Sequence, residues 1–189
     1  MKDREFAKTI SINGDWAWGT QFAGIKMASN YFVFHLMSKL LSENPHIQKI
    51  CEIGTHTGSM AVYLGLEGLK MGGVPVHTFE KDKQVTRQTS DLLEKLKVEQ
   101  HIYDVGIYPD KVIAQIKDQP TYLVSDGGNK VADANVFLDY LPSGSILSLH
   151  DYSIEVLDSQ LGKIYEKCIP IRPYEWNETN AQFASFKVK

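Results

Sequence analysis

Five times between residues 49 and 165 a short apolar run is followed by an amphipathic helical stretch, and this alternation constrains the fold more than any other feature. The expected strands are Lys49–Gly54, Val76–Glu80, His101–Gly106, Tyr122–Asp126 and Ser145–Leu149. The expected helices are Gly58–Met71, Gln84–Val98, Asp110–Ile116, Lys130–Leu141 and Ile154–Tyr165. Repeated strand–helix units imply a parallel sheet with helices on both faces, an α/β class fold. Ahead of the first strand, the apolar residues from Gly24 to Leu41 suit one helix with a wide buried face, ended by Asn44-Pro45. Ile10–Asp15 reads as either strand or turn. The tail from Pro173 to Lys189 reads as two strands joined by a polar turn around Asn177–Asn180.

No repeat, low-complexity tract or linker divides the 189 residues, so a single domain is expected, with residues 1–46 as a helical cap and 47–189 as the core. The net charge of −3 offers no basic excess to neutralise phosphates, which disfavours nucleic acid as a partner. Cys51 and Cys168 make neither a disulfide framework nor a zinc spacing. No apolar run approaches the ~18 residues of a membrane span. The charged start, Met1 to Glu5, lacks the apolar stretch of a signal peptide. The expectation is a cytoplasmic protein with no membrane partner.

In parallel sheets ligands bind beyond the carboxyl ends of the strands, where strand order reverses. The polar residues at those ends are Glu52 and Thr55, Glu80, Asp104, Asp126, His150 and Asp151. The sharpest motif is Glu52-Ile53-Gly54-Thr55-His56-Thr57-Gly58-Ser59. Its two glycines allow open backbone angles, and the next helix begins with N–H groups facing outward. The spacing is neither G-x-G-x-x-G nor a P-loop, since no Lys follows Gly58. Glu80, 22 residues after Gly58, stands where a carboxylate accepts hydrogen bonds from vicinal ribose hydroxyls. A solvated surface Glu and a plain strand–helix turn are the bland alternatives.

The octapeptide resembles the first motif of class I S-adenosylmethionine-dependent methyltransferases, and is most similar to small-molecule O-methyltransferases. Thr78-Phe79-Glu80-Lys81-Asp82 resembles their second motif, and Ser125 to Lys130 their fourth-strand segment. Pro142 to Tyr152 resembles the P-G-G-x-[IL]-x-[IL]-H-D-Y ending. Trp18-Gly19-Thr20-Gln21 resembles the leader of a subgroup that includes cephalosporin-tailoring and sugar-tailoring enzymes. The resemblance covers residues 49–152. It implies a Rossmann-like three-layer sandwich with a seven-stranded, mostly parallel sheet and an antiparallel C-terminal hairpin. It further implies that Glu52, Gly54, Thr55, Gly58 and Ser59 cradle the methionine part of S-adenosylmethionine. Glu80 would hold the ribose, backbone from Gly106 to Tyr108 would lie near adenine, and Asp126 would sit beside the sulfonium.

The chain also departs from the pattern. Metal-dependent members have an Asp-Asn pair after the fifth strand, where this chain has Asp151-Tyr152. Another subgroup reads D-G-D-H after the fourth strand, where this chain has Asp126-Gly127-Gly128-Asn129. Asp126 and Asp151 therefore stand as candidate ligands for Mg2+, against the alternative of no metal. An acceptor hydroxyl must lose its proton, and Asp126, Lys130 and His150 are the candidate catalytic groups. For Lys130 the alternative is a surface lysine, for His150 a packed strand-end histidine, and for Asp151 a helix cap. His56 reads as exposed.

The leading expectation is O-methylation of a small-molecule or sugar hydroxyl. The acceptor would be recognised by the N-terminal segment, where Trp16, Trp18, Phe22, Tyr31 and Phe32 form either a pocket or plain sheet cover, and by loops after strands four and five. A homodimer partner is a further contributor in this reading. The alternatives are a catalytically inactive cofactor-binding accessory protein and a nicotinamide-dependent oxidoreductase.

Overall fold

The computed structural model describes residues 20–27, 29, 31–173, 175 and 182–189. The expectations placed on Ile10–Asp15, Trp16, Trp18 and the turn around Asn177–Asn180 lie outside the described residues. The described residues begin with a two-stranded hairpin, β1 (Thr20–Phe22) and β2 (Ile25–Met27), followed by α1 (Tyr31–Glu43). The alternating units follow: β3 (Lys49–Ile53), α2 (Ser59–Lys70), β4 (Val76–Glu80), α3 (Arg87–Lys95), β5 (Val98–Ile102), α4 (Pro109–Ile116), β6 (Thr121–Ser125), α5 (Lys130–Phe137) and β7 (Ile146–His150). A short α6 (Gly162–Lys167) leads to β8 (Cys168–Ile171) and β9 (Phe183–Val188).

The seven-stranded sheet runs β5-β4-β3-β6-β7-β9-β8. The first five strands are mutually parallel, and β9 is antiparallel to both β7 and β8. The Rossmann-like sandwich with an antiparallel C-terminal pair expected from the sequence is the fold observed. Strand alternation sends Ile50, Tyr122 and Val124 into one core with α1 and α2, and Cys51, Ile53, Leu123 and Leu147 into a second core with α4 and α5. Strand order reverses at β3, so the crevice lies between the carboxyl ends of β3 and β6.

Helix starts follow the local chemistry. Thr86 accepts from the Thr89 N–H ahead of α3, Asn129 accepts from the Ala132 N–H ahead of α5, and Pro109 opens α4. Five expectations need correction. The single helix over Gly24–Leu41 is instead a hairpin and a later helix, because Ala23 and Gly24 both take positive φ and reverse the chain. The helix expected to run to Val98 ends at Lys95, and Lys97 (φ 57) turns the chain so that β5 begins three residues early. The helix after β6 stops being α-helical at Phe137 and finishes as a 3-10 turn, Leu138–Tyr140, ahead of Pro142. The helix expected over Ile154–Tyr165 is a turn, a 3-10 segment (Asp158–Gln160) and α6. The Asp151 carbonyl collects the N–H groups of Ile154, Glu155 and Val156, and Asp151 and Ser153 hold positive φ. In the tail, β9 pairs with β8, which precedes Pro173 rather than following it.

Candidate active site

At the crevice, Gly54 (φ 98) passes so close to β6 that a Cβ there would lie 2.4 Å from the Asp126 carbonyl oxygen. Only glycine fits, and the contact locks the first loop onto the end of β6. The N–H groups of Gly54 and Thr55 both donate to the Phe79 carbonyl, 2.8 and 3.3 Å, and Asp126 N–H donates to the Ile53 carbonyl, 2.8 Å. Gly58 also takes a positive φ of 87° and packs closely. The space a Cβ would take is filled by Thr89 in the first turn of α3 and by Val85 just ahead of it. Gly58 is the cap residue of α2, and Ser59 is buried at its first position.

Glu52, the penultimate residue of β3, has its side chain in the interior, 1% exposed. The Thr78 hydroxyl donates to Glu52 Oε2 at 2.5 Å, and Thr55 and Thr78 share a second 2.5 Å hydrogen bond. The other oxygen, Oε1, is buried and meets no partner among the described residues. Burial pushes this carboxyl up to about 8, with the charges of Asp126 and Glu80 adding to the rise, although the Thr78 hydrogen bond opposes it.

Glu80 ends β4. Its two oxygens accept the N–H groups of His56 and Lys81, each at 2.8 Å. These bonds fix the carboxylate at the rim of a cavity of about 440 Å³ whose walls include Gly54, Phe79, Asp104, Gly106, Gly127 and Asp133. His56 is the loop residue at positive φ that presents its N–H to Glu80, a backbone role its side chain gave no hint of. Asp104 folds back on its own loop, accepting from the Gly106 N–H at 2.9 Å, and pairs with Lys81 at 3.5 Å. Asp133 is pushed up to about 6 by burial and by the charge of Asp104.

Beyond β6 and β7 lies a charged cluster. His150 is 4% exposed, with Nε2 at 2.7 Å from the Ser29 hydroxyl. Its Nδ1 stands 3.1 Å from Asp126 Oδ1 and 3.0 Å from Asp151 Oδ1, in hydrogen-bond alignment with neither. Burial alone would lower the imidazole; the Asp126 and Asp151 carboxylates overcome this and raise it to about 10. Lys130, also buried, reaches Glu155 at 2.7 Å, Asp151 at 3.0 Å and Asp126 at 3.8 Å. Its burial would lower it too, yet the hydrogen bonds to Glu155 and Asp151 leave it above the ordinary lysine value. Asp151, which burial alone would raise, is held down at about 2 by His150 and Lys130. Lys130 is thus surrounded by carboxylates that favour its charged form, and Asp151 uses its carboxylate on the cluster, with its carbonyl closing the following turn.

The structure adds Asp133, Glu155 and Ser29 to the residues named from sequence, and gives Thr78, named there only within a motif, a role as partner of Glu52. Thr78 and Asp133 carried a signal, as polar residues at inward positions of a strand and a helix. Ser29 carried none, since its contact with His150 spans 121 residues.

Asp126, His150 and Asp151 bring ligand atoms close enough to hold an ion. Magnesium prefers near-octahedral oxygen and keeps several waters. These residues supply a nitrogen among their donors, and the Lys130 ammonium already lies against Asp151. The donor set does not fit magnesium.

No family model and no curated protein matches the chain. Solved structures do. The structure of cmcI-D160 Mg-SAM superposes with a TM-score of 0.70 at 14% identity, over 91% of this chain and 78% of that one. A structure of a putative O-methyltransferase from Klebsiella pneumoniae gives 0.56 at 13% identity, over 100% and 90%. The O-methyltransferase TomG from Streptomyces achromogenes in complex with SAM gives 0.52 at 14%, over 100% and 90%. The chain therefore has the Rossmann-like fold these structures share.

Proposed function

We propose that the chain binds S-adenosylmethionine at the β3–β6 crevice and transfers its methyl group to a hydroxyl of a small molecule or sugar. The observation that carries the proposal is Glu52, a buried carboxyl with one oxygen unpartnered, at the glycine turn where strand order reverses. A cationic ligand group beside Oε1 would satisfy that oxygen and restore the charged carboxylate. S-adenosylmethionine carries such a group in its amino end. Glu80 stands ready at the cavity rim, each oxygen holding one N–H and retaining a lone pair for a ribose hydroxyl. The cavity volume suits a ligand of this size. The structural neighbours include SAM complexes and an O-methyltransferase, which supports the same reading.

The cofactor when bound supplies an activated methyl group, so the protein's share is position and electrostatics. Asp126, at the end of β6, accepts the hydrogen bond of the acceptor hydroxyl and takes its proton. Lys130 and His150 remain cationic beside it; they hold Asp126 in place and stabilise negative charge developing on the acceptor oxygen. The acceptor site is completed by the N-terminal segment, to which Ser29 ties His150, and in this proposal by a second copy of the chain. Cytoplasmic location belongs to the same proposal. No described helix is long and apolar enough to cross a membrane.

One observation favours an alternative, a cofactor-binding protein without turnover: both nitrogen bases near the acceptor position are held as cations. Titration calorimetry with S-adenosylmethionine and S-adenosylhomocysteine, with and without magnesium, tests the binding. The expected result is micromolar affinity, about −8 kcal/mol, independent of magnesium and weakened at least tenfold in Glu80→Ala. Absence of heat from folded protein overturns the proposal, and binding with no methylation across a panel of hydroxyl acceptors selects the alternative.

A further inference from the structure

We propose that His77, Glu99 and His101 form a binding site for one divalent transition-metal ion, zinc by their donor set, on the two outermost strands of the parallel half of the sheet. In the register of β4 against β5, His77 is paired with Glu99 and Phe79 with His101. Side chains alternate along a strand, so His77, Glu99 and His101 emerge on the same face.

The ligand atoms converge. His77 Nδ1 lies 3.1 Å from His101 Nε2 and 3.4 Å from Glu99 Oε2, and His101 Nε2 lies 4.0 Å from the same oxygen. A point equidistant from all three is about 2.1 Å from each, the length of a zinc bond to imidazole nitrogen or carboxylate oxygen. The imidazole planes differ by only 20°. The His101 ring is held by Phe79, at 4.7 Å and 14°.

A hydrogen bond between the two histidines uses one proton and leaves the carboxylate oxygen facing a nitrogen lone pair. A metal ion satisfies all three atoms together. Two nitrogens and one carboxylate oxygen suit zinc, nickel or copper over magnesium or calcium. Glu99 is exposed, so the fourth position opens to water.

This site is separate from the charged cluster at the end of β7. His77 precedes Glu80 by three residues, about 10 Å along the strand. Phe79 lies between, in contact with His101 on one side and lining the cavity on the other. A bound ion would pin the edge strand β5 to β4 beneath the cavity wall. The proposal does not depend on the methyl-transfer reading.

The test uses the full chain, stripped with chelator, then titrated with Zn2+ by calorimetry and with Co2+ by visible absorption. One equivalent of zinc at micromolar affinity or tighter is expected, with the absorption bands of nitrogen- and oxygen-ligated cobalt. Glu99→Gln, at an exposed position that leaves the core intact, and His101→Gln should each weaken zinc at least tenfold and remove the cobalt bands. Asp151→Asn, which disables the other candidate cluster among the described residues, should leave both unchanged. No saturable binding by the wild type, full affinity in Glu99→Gln and His101→Gln, or loss confined to Asp151→Asn would each overturn the proposal.

Discussion

Replacing Glu52 by Gln should make the protein more stable at neutral pH, and by an amount that depends on pH. The native state raises the Glu52 carboxyl from 4.5 to about 8. A group raised on folding contributes fully below its unfolded value, and that contribution is lost as pH rises through the folded value. For Glu52 the window runs from about pH 4.5 to about pH 8, and the whole difference corresponds to about 5 kcal/mol. At pH 7 the native protein holds a proton that the unfolded chain has released, at a cost of about 3 kcal/mol. Glutamine does not ionise and keeps an oxygen for the Thr78 hydroxyl. Its amide N–H2 meets no partner where Oε1 stood, which costs about 1 kcal/mol. The variant should therefore gain about 2 kcal/mol at pH 7, which at a urea m-value of about 2 kcal/mol/M moves the midpoint up by about 1 M. Near pH 4.5 the gain should vanish or reverse. Urea melts of both proteins at about pH 5, 7 and 8 measure this, and the comparison cancels His150, whose own contribution is lost at higher pH, from about 6.5 towards 10. Midpoints that fall in parallel with pH, or a variant less stable at pH 7, would refute the assignment. The same substitution should weaken S-adenosylmethionine, since glutamine cannot ionise to meet the ligand's cationic group.

Other substitutions probe the packing and the charged cluster. Gly54→Ala should cost at least about 3 kcal/mol, because the new methyl meets the Asp126 carbonyl at positive φ, whereas Gly72→Ala, with open space around it, should cost about 1 kcal/mol in the same denaturation assay. Lys130→Met strands three carboxylates and should cost about 2 kcal/mol at neutral pH, less than a fully buried pair because Glu155 is exposed; a change below about 0.5 kcal/mol would show the cluster to be slack. Asp151 is depressed on folding, so its stabilisation is present above pH 3.8 and lost as pH falls towards about 2. The stability difference between wild type and Asp151→Asn, about 1 kcal/mol after allowing for partial exposure, should shrink over that acid range in melts.

β3, β4, β6 and β7 were legible because each is a short, largely apolar run bounded by turn residues, and their alternation with helices dictated parallel pairing; β5 (Val98–Ile102), mostly polar, was placed three residues late. Val76–Glu80 needed no adjustment of its ends. Where the reading slipped, a backbone event overrode the pattern. Ala23-Gly24 reversed a chain whose apolar spacing still suited a helix, and Lys97 ended α3 although Val98 continued the apolar stripe. Ile154 and Leu157 supplied helical spacing, yet both are exposed, and the turn built on the Asp151 carbonyl decided the segment. At the site, strand-end position found Glu52, Glu80, Asp126, His150 and Asp151. It did not reveal charge state. That Lys130 is a clamped cation depends on Glu155, 25 residues away, and on burial, neither of which a local motif encodes. The His77–Glu99–His101 group was missed for a similar reason: its spacing makes sense only once β4 and β5 are in register.

The position of β9 has a consequence for how the chain reaches this structure. β9 is the last of the described strands in sequence, yet it lies between β7 and β8 and hydrogen-bonds both. β8 therefore emerges with no neighbour to pair with, and β7 remains an open edge until residues 183–188 arrive. The five parallel strands can assemble first, while an intermediate of that kind presents the unpaired backbone of β7 to other molecules. Substitutions that weaken β9, for instance at Ser185, whose hydroxyl meets Ser148 at 2.8 Å, should thus show themselves first as slower recovery and aggregation on refolding at high concentration, before any large fall in equilibrium stability.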